Sequence, residues 1–116
     1  MSTNAGLCKR VKLFIDEQFA AIQSVAEIAE KFEVSPAWLT RAFRTQYDLG
    51  PKEYLDAIRI REAMKLLEKR RLHCYEIAQA VGLKDEDALG KLFNRQGIPA
   101  PTVLRKTNGK ILPDSM

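Results

Sequence analysis

Few side chains in this 116-residue chain are placed to do acid–base or covalent chemistry. His73 is the single histidine and stands in KRRLHCYE among basic residues. Imidazole catalysis needs a partner that fixes the ring and answers its charge. His73 has no plausible one beside it, so it reads as a solvated or half-buried residue at a helix junction. Cys8 and Cys74 lie far apart with no CxxC, and two cysteines with one histidine do not make a structural zinc site. They read as reduced, packed thiols. The chain has no GxGxxG, GxxxxGK[ST], GxSxG or HExxH. These absences argue against an enzyme and imply neither a cofactor nor a metal. What remains is hydrogen-bonding chemistry. The segment SPAWLTRAFR sets Ser35, Ala37, Thr40, Arg41 and Arg44 close together at helical spacing. A guanidinium there offers a rigid fork of donors, and a threonine offers a hydroxyl beside a methyl.

The elements that must carry these groups are helices. Apolar residues recur at helical spacing through most of the chain, and strand-like alternation is absent. The pattern predicts helices at about residues 7–22, 25–32, 36–47, 51–70, 75–81 and 85–96, with a short seventh from Pro101 to Arg105 or Lys106. Ser24 with Glu27 fits a capping box, and Ser35 followed by Pro36 fits an N-cap with proline in the first turn. Gly50 suits a left-handed position ending the third helix, and Gly82 suits the turn after the fifth. The tail TNGKILPDSM carries little core material and reads as flexible. The fold class expected is all-α.

Composition sets outer bounds. Hydrophobic residues make up 46% and charged residues 29% of the 13.2 kDa chain, near the globular average, so wholesale disorder is excluded. No apolar run approaches the ~18–20 residues of a membrane span, and the N-terminus has no apolar signal core. A cytoplasmic protein with no membrane partner is expected. The net charge is +4. It is distributed as −1 over residues 1–35 (four basic, five acidic), +3 over 36–70 (eight, five) and +2 over 71–116 (seven, five). The positive excess begins where SPAWLTRAFR begins, as a face turned toward polyanionic nucleic acid requires.

The chain also repeats itself. Glu27, Ile28 and Ala29 match Glu76, Ile77 and Ala78 at an offset of 49. Leu39, Phe43 and Pro51 match Leu89, Phe93 and Pro101 at an offset of 50. Two copies are too few for a solenoid. Each copy has the parts of a helix-turn-helix: a small alanine where the second helix approaches, a tight turn, and an apolar pair anchoring that second helix. The turns are Glu33-Val34-Ser35 and Gly82-Leu83-Lys84. Glycine suits such a turn and glutamate does not, so the first turn is expected to be strained or differently shaped.

On these residues the chain resembles the DNA-binding domain of AraC/XylS-type transcription regulators. The resemblance rests on SPAWLTRAF, then GPKEYLDAIRIREAMKLL, then YEIAQAVGL with Phe93 ten residues on, and it spans about residues 7–105. It implies two helix-turn-helix subdomains, residues 7–50 and 71–106, joined by a linking helix over 51–70, with 107–116 as a tail. Each subdomain would present a recognition helix to double-stranded DNA. A linking helix of ~20 residues is ~30 Å long, and one DNA turn is ~34 Å. A monomer with that spacer is expected to place two helices in successive major grooves. Contact with RNA polymerase is also implied. Many members carry a further sensing or dimerising domain, so the chain is either a stand-alone regulator or a piece of a longer one.

Within that frame Ala37, Thr40 and Arg41 are the expected base contacts. Arginine bonds both O6 and N7 of guanine, which is worth ~1–3 kcal/mol of discrimination. Ser35, Arg44, Lys84, Lys91 and Arg95 are the expected backbone contacts. Trp38 reads as half-buried. The second recognition helix departs from the pattern: Asp85, Glu86 and Asp87 occupy its first turn, and Gly90 removes a possible reader. Carboxylates suit a helix N-terminus but repel phosphate. Unequal halves are therefore expected, with the first dominant. The competing reading is a protein-interaction adaptor or anti-activator that keeps the fold with little specific DNA binding. The acidic second helix supports that reading, and the SPAWLTRAFR face opposes it.

Overall fold

The computed structural model describes residues 3–69 and 72–101. Among these residues there are six helices and no strand: α1 (Thr3–Gln18), α2 (Val25–Lys31), α3 (Pro36–Tyr47), α4 (Pro51–Lys69), α5 (Cys74–Ala80) and α6 (Glu86–Arg95). The expected seventh helix and the tail fall outside the described residues, apart from Pro101. The chain divides into two compact units between Ile58 and Arg59, within α4.

Capping explains most helix starts. Ser24 Oγ accepts the Glu27 N–H at 3.2 Å, and Glu27 Oε1 reaches back to the Gln23 N–H at 2.7 Å, one residue before the N-cap. Ser35 Oγ accepts the Trp38 N–H at 3.1 Å ahead of α3. Asp85 Oδ1 accepts the Ala88 N–H at 2.8 Å ahead of α6. Glu76 Oε1 accepts the His73 N–H at 2.8 Å ahead of α5. Each such contact satisfies a backbone donor that the first helical turn leaves without a partner.

Two sequence expectations need correction. Helix α1 ends at Gln18, not near Ile22. The chain turns there through Ala21 N–H and Ile22 N–H, which both donate to Gln18 O, at 2.8 and 3.1 Å. Ile22 still reaches the core, 1% exposed, so its apolar spacing continues although the helix does not. Second, Gly50 does not adopt the left-handed conformation. Asp48 does, at φ 67°, and closes α3 by donating its N–H to Arg44 O at 2.8 Å. Aspartate tolerates that region better than most side chains.

In the first unit α1 and α2 pack on α3. Its core contains Cys8, Val11, Ile15, Ile22, Ile28, Leu39, Phe43 and Leu55. Trp38, Tyr47 and Tyr54 pack partly buried against it. Phe43 touches both Tyr47 and Tyr54, with ring centroids 4.8 and 5.9 Å away. In the second unit α5 packs on α6, and Ile77, Ala78, Val81, Leu89, Leu92 and Phe93 are buried. Fully burying side chains of this size contributes about 1.5–3 kcal/mol each, which fixes which face of α3 and of α6 turns outward.

The repeat is physical as well as textual. Val34 N–H donates to Ala29 O at 3.0 Å, and Leu83 N–H donates to Ala78 O at 2.8 Å. Glu33 N–H donates to Glu30 O and Gly82 N–H to Gln79 O, both at 3.1 Å. Ala29 and Ala78 are both buried. The two units thus share one turn, hydrogen bond for hydrogen bond.

Candidate nucleic-acid interface

Helix α3 is seated by Leu39 and Phe43, both fully buried. Helical geometry then turns Ala37, Arg41 and Arg44 outward, and all three are exposed. Ser35 is exposed at the N-cap, and Thr40 is half-buried. Trp38 is half-buried against the core. Among the described residues no ion pair involves the Arg41 side chain. Its carbonyl accepts the Thr45 hydroxyl at 2.9 Å. Arg44 differs. Its Nη2 lies 3.1 Å from Glu53 Oε1, in the first turn of α4. The same oxygen accepts the Gly50 N–H at 2.6 Å. A Cβ on Gly50 would lie 3.1 Å from Arg44 Nη2, 3.4 Å from Glu53 Oε1 and 3.6 Å from Thr40 Cγ2. Gly50 is therefore the floor on which this ion pair sits, which accounts for a glycine without positive φ.

Helix α6 is seated in the same way by Leu89, Leu92 and Phe93. Its outward face is less basic. Asp85 is occupied as the cap, and Glu86 and Asp87 are exposed in the first turn. Lys91 Nζ lies 3.2 Å from Asp87 Oδ2, so the cation expected on DNA is tied within its own helix. Lys84 is exposed before the helix and Arg95 exposed at its end. A Cβ on Gly90 would meet nothing within 4 Å. A shallow groove of about 500 Å³ lies along this face, bordered by Glu86, Asp87, Gly90, Asn94 and Pro101.

The groups set aside as non-catalytic sit as follows. His73 is exposed, its ring stacked on Tyr75 at 5.6 Å and 6°. Cys8 is buried, and that burial pushes its thiol pKa up, keeping it protonated and unreactive. Among the described residues no group of three or more His, Cys, Asp or Glu side chains is arranged to hold a metal. Arg59 and Asp56 are buried in α4. Glu62 takes Lys65 Nζ and Arg61 Nη2, each at 3.2 Å. Burial would raise its pKa, but the hydrogen bonds and charges of Lys65 and Arg61 prevail and lower it.

Sequence reasoning missed Glu53. Arg44 and Glu53 lie in different helices with the Asp48–Gly50 turn between them, so no helical spacing pairs them. The Gly50–Glu53 interval was the available signal, since a carboxylate three residues after a helix-preceding residue can accept its N–H.

A family model described as a helix-turn-helix domain matches residues 28–107. The chain belongs to the AraC/XylS-type helix-turn-helix family. It is 31% identical over 105 residues to the Msm operon regulatory protein of Streptococcus mutans, covering 90% of this chain and 38% of that one. The chain thus spans between 26% and 40% of the length of the curated relatives it matches. Among solved structures it resembles the C-terminal domain of AraT, a response regulator from Geobacillus stearothermophilus, with TM-score 0.83 at 23% identity, covering 99% and 94% of the two chains. That likeness concerns the fold. It also resembles the DNA-binding domain of AdpA, a global transcriptional factor solved with a target DNA, with TM-score 0.78 at 25% identity, covering 86% and 90%. The AraC/XylS-type assignment accounts for the paired helix-turn-helix units.

Proposed function

We propose that this chain is a sequence-specific double-stranded DNA-binding module of a bacterial transcription regulator, with its first unit dominant. The observation that carries the reading is Arg41. It stands exposed and without an ion pair among the described residues, on a capped helix anchored by two fully buried side chains. A guanidinium so placed can meet O6 and N7 of guanine. Ala37 and Thr40 flank it as further base contacts, and the Ser35 hydroxyl serves a phosphate at the helix N-terminus. Lys84 and Arg95 serve backbone contacts in the second unit, and Lys91 joins them on leaving Asp87, since both side chains of that pair are largely exposed and the pair is weak. The functional subdomains are residues 7–50 and 71–106, with 51–70 linking them. Relatives named as activators, among them RhaS of Escherichia coli, support an activating role. That role implies RNA polymerase as a second partner. The spacing of two recognition helices along one linking helix makes the chain a monomeric reader, and we place its action in the cytoplasm.

Selection from a randomised ~30 bp duplex pool at near-physiological salt tests the proposal. An enriched motif containing a guanine, lost in Arg41→Ala, is the expected result. Retention that is weak, featureless and removed by added salt would overturn it and favour the adaptor reading, which the exposed Glu86 and Asp87 support.

A further inference from the structure

We infer that Glu53 is a positioning residue that withholds Arg44 from DNA phosphate and so lowers the sequence-independent affinity of the first unit. The inference rests on the DNA-binding reading above and adds a residue which that reading does not use. Arg44 lies one helical turn beyond Arg41 on the outward side of α3, where a cation would meet backbone. Its guanidinium instead lies 3.1 Å from Glu53 Oε1. Glu53 is not a loose surface carboxylate, because the same oxygen is fixed by the Gly50 N–H at 2.6 Å. Gly50 leaves the space in which both groups sit, since a Cβ there would stand 3.1 Å from Arg44 Nη2. To reach a phosphate, Arg44 must leave Glu53 or bring a negative charge with it. Side chains 54% and 55% exposed form only a weak pair, so the restraint is modest and acts alike on every sequence.

Glu53→Gln tests this in the full chain, because glutamine keeps an oxygen for the Gly50 N–H while losing the charge. Affinity for a selected duplex and for an unrelated duplex is measured across a salt series, with circular dichroism melts confirming the fold. Glu53→Gln is expected to raise both affinities by about two- to fivefold. The slope of log K against log salt should steepen by about 0.9, one additional phosphate contact. The preferred motif should stay unchanged. In an Arg44→Ala background the same substitution should do nothing. An unchanged slope, an effect that survives in Arg44→Ala, or an altered motif would each overturn the inference. The parent chain is titrated alongside. If it binds no duplex at any salt, the DNA reading itself falls, a result separate from the parent binding with the variants unmoved.

Discussion

Glu33 and Gly82 occupy the same place in the two helix-turn-helix units, and both take the left-handed conformation, at φ 60° and 92°. Each donates its N–H to the residue three before it at 3.1 Å. The fold requires this bend between the paired helices, and only the second copy supplies glycine for it. A non-glycine residue in this region costs about 1–2 kcal/mol. Part of the gain from glycine is offset by its greater freedom in the unfolded chain. Glu33→Gly is therefore expected to stabilise the protein by about 0.5–1 kcal/mol. Gly82→Ala is expected to destabilise it by about 1–2 kcal/mol. Urea midpoints of the two variants check this, and a Glu33→Gly midpoint below the parent's would contradict it.

The caps give a second prediction. Ser35 and Asp85 each accept a backbone N–H three residues on, at 3.1 and 2.8 Å. Replacing either with alanine leaves that donor without its side-chain partner and should cost about 1 kcal/mol, within a range of 0.5–2. Ser35→Gly should cost only a few tenths, because glycine is itself tolerated at the N-cap. Thermal melts of Ser35→Ala and Ser35→Gly separate the two cases. Equal losses would mean that the hydroxyl contributes nothing as a cap.

These caps were legible because they follow local rules. Ser24 and Ser35 each lie immediately before a run of helical spacing and cap it as expected, although Glu27 reaches the N–H of Gln23 and not that of Ser24. Asp85 stands one place before α6 as its cap and not inside the helix. The end of α1 was not legible, because Phe19 and Ile22 keep their apolar spacing after the chain has turned. Gly50 misled for a related reason. A glycine past a helix end suggests a left-handed residue, but Asp48 fills that role, and Gly50 serves the contact between Arg44 and Glu53. At the candidate site, the outward set on α3 followed from Leu39 and Phe43 alone. The partners of Arg44 and Lys91 did not follow, because a list of basic residues does not say which are already answered by a carboxylate.

Glu62 sets the direction of an acid response. Its pKa is lowered in the folded chain, burial being outweighed by hydrogen bonds from Lys65 and Arg61. A carboxylate with a lowered folded value adds stability at pH above its unfolded value, about 4.3. That stability is lost as pH falls through the folded value. Stability should therefore decline below about pH 4.3, and less so in Glu62→Gln, which has no proton to take up there. Urea titrations at pH 7 and pH 3 measure both slopes. An identical decline in parent and variant would show that other carboxylates carry the response.

The sharpest test of unequal halves compares Arg41 with Asp87. Arg41 is exposed on α3 with no ion pair among the described residues, whereas Asp87 is exposed on α6 and holds Lys91 at 3.2 Å. Arg41→Ala removes the group proposed to read guanine, and a bidentate contact is worth about 1–3 kcal/mol. Affinity for the selected duplex should fall about 5- to 150-fold, while affinity for an unrelated duplex changes far less. Asp87→Ala removes a carboxylate that repels phosphate and leaves Lys91 without its partner. DNA binding should then hold or tighten, while the fold loses about 0.3–1 kcal/mol of helix-terminus stabilisation. Fluorescence anisotropy with a selected duplex, at a temperature where both variants are folded, reads the two changes side by side. If both substitutions weaken binding equally, α6 reads DNA as fully as α3, and the dominance of the first unit is wrong.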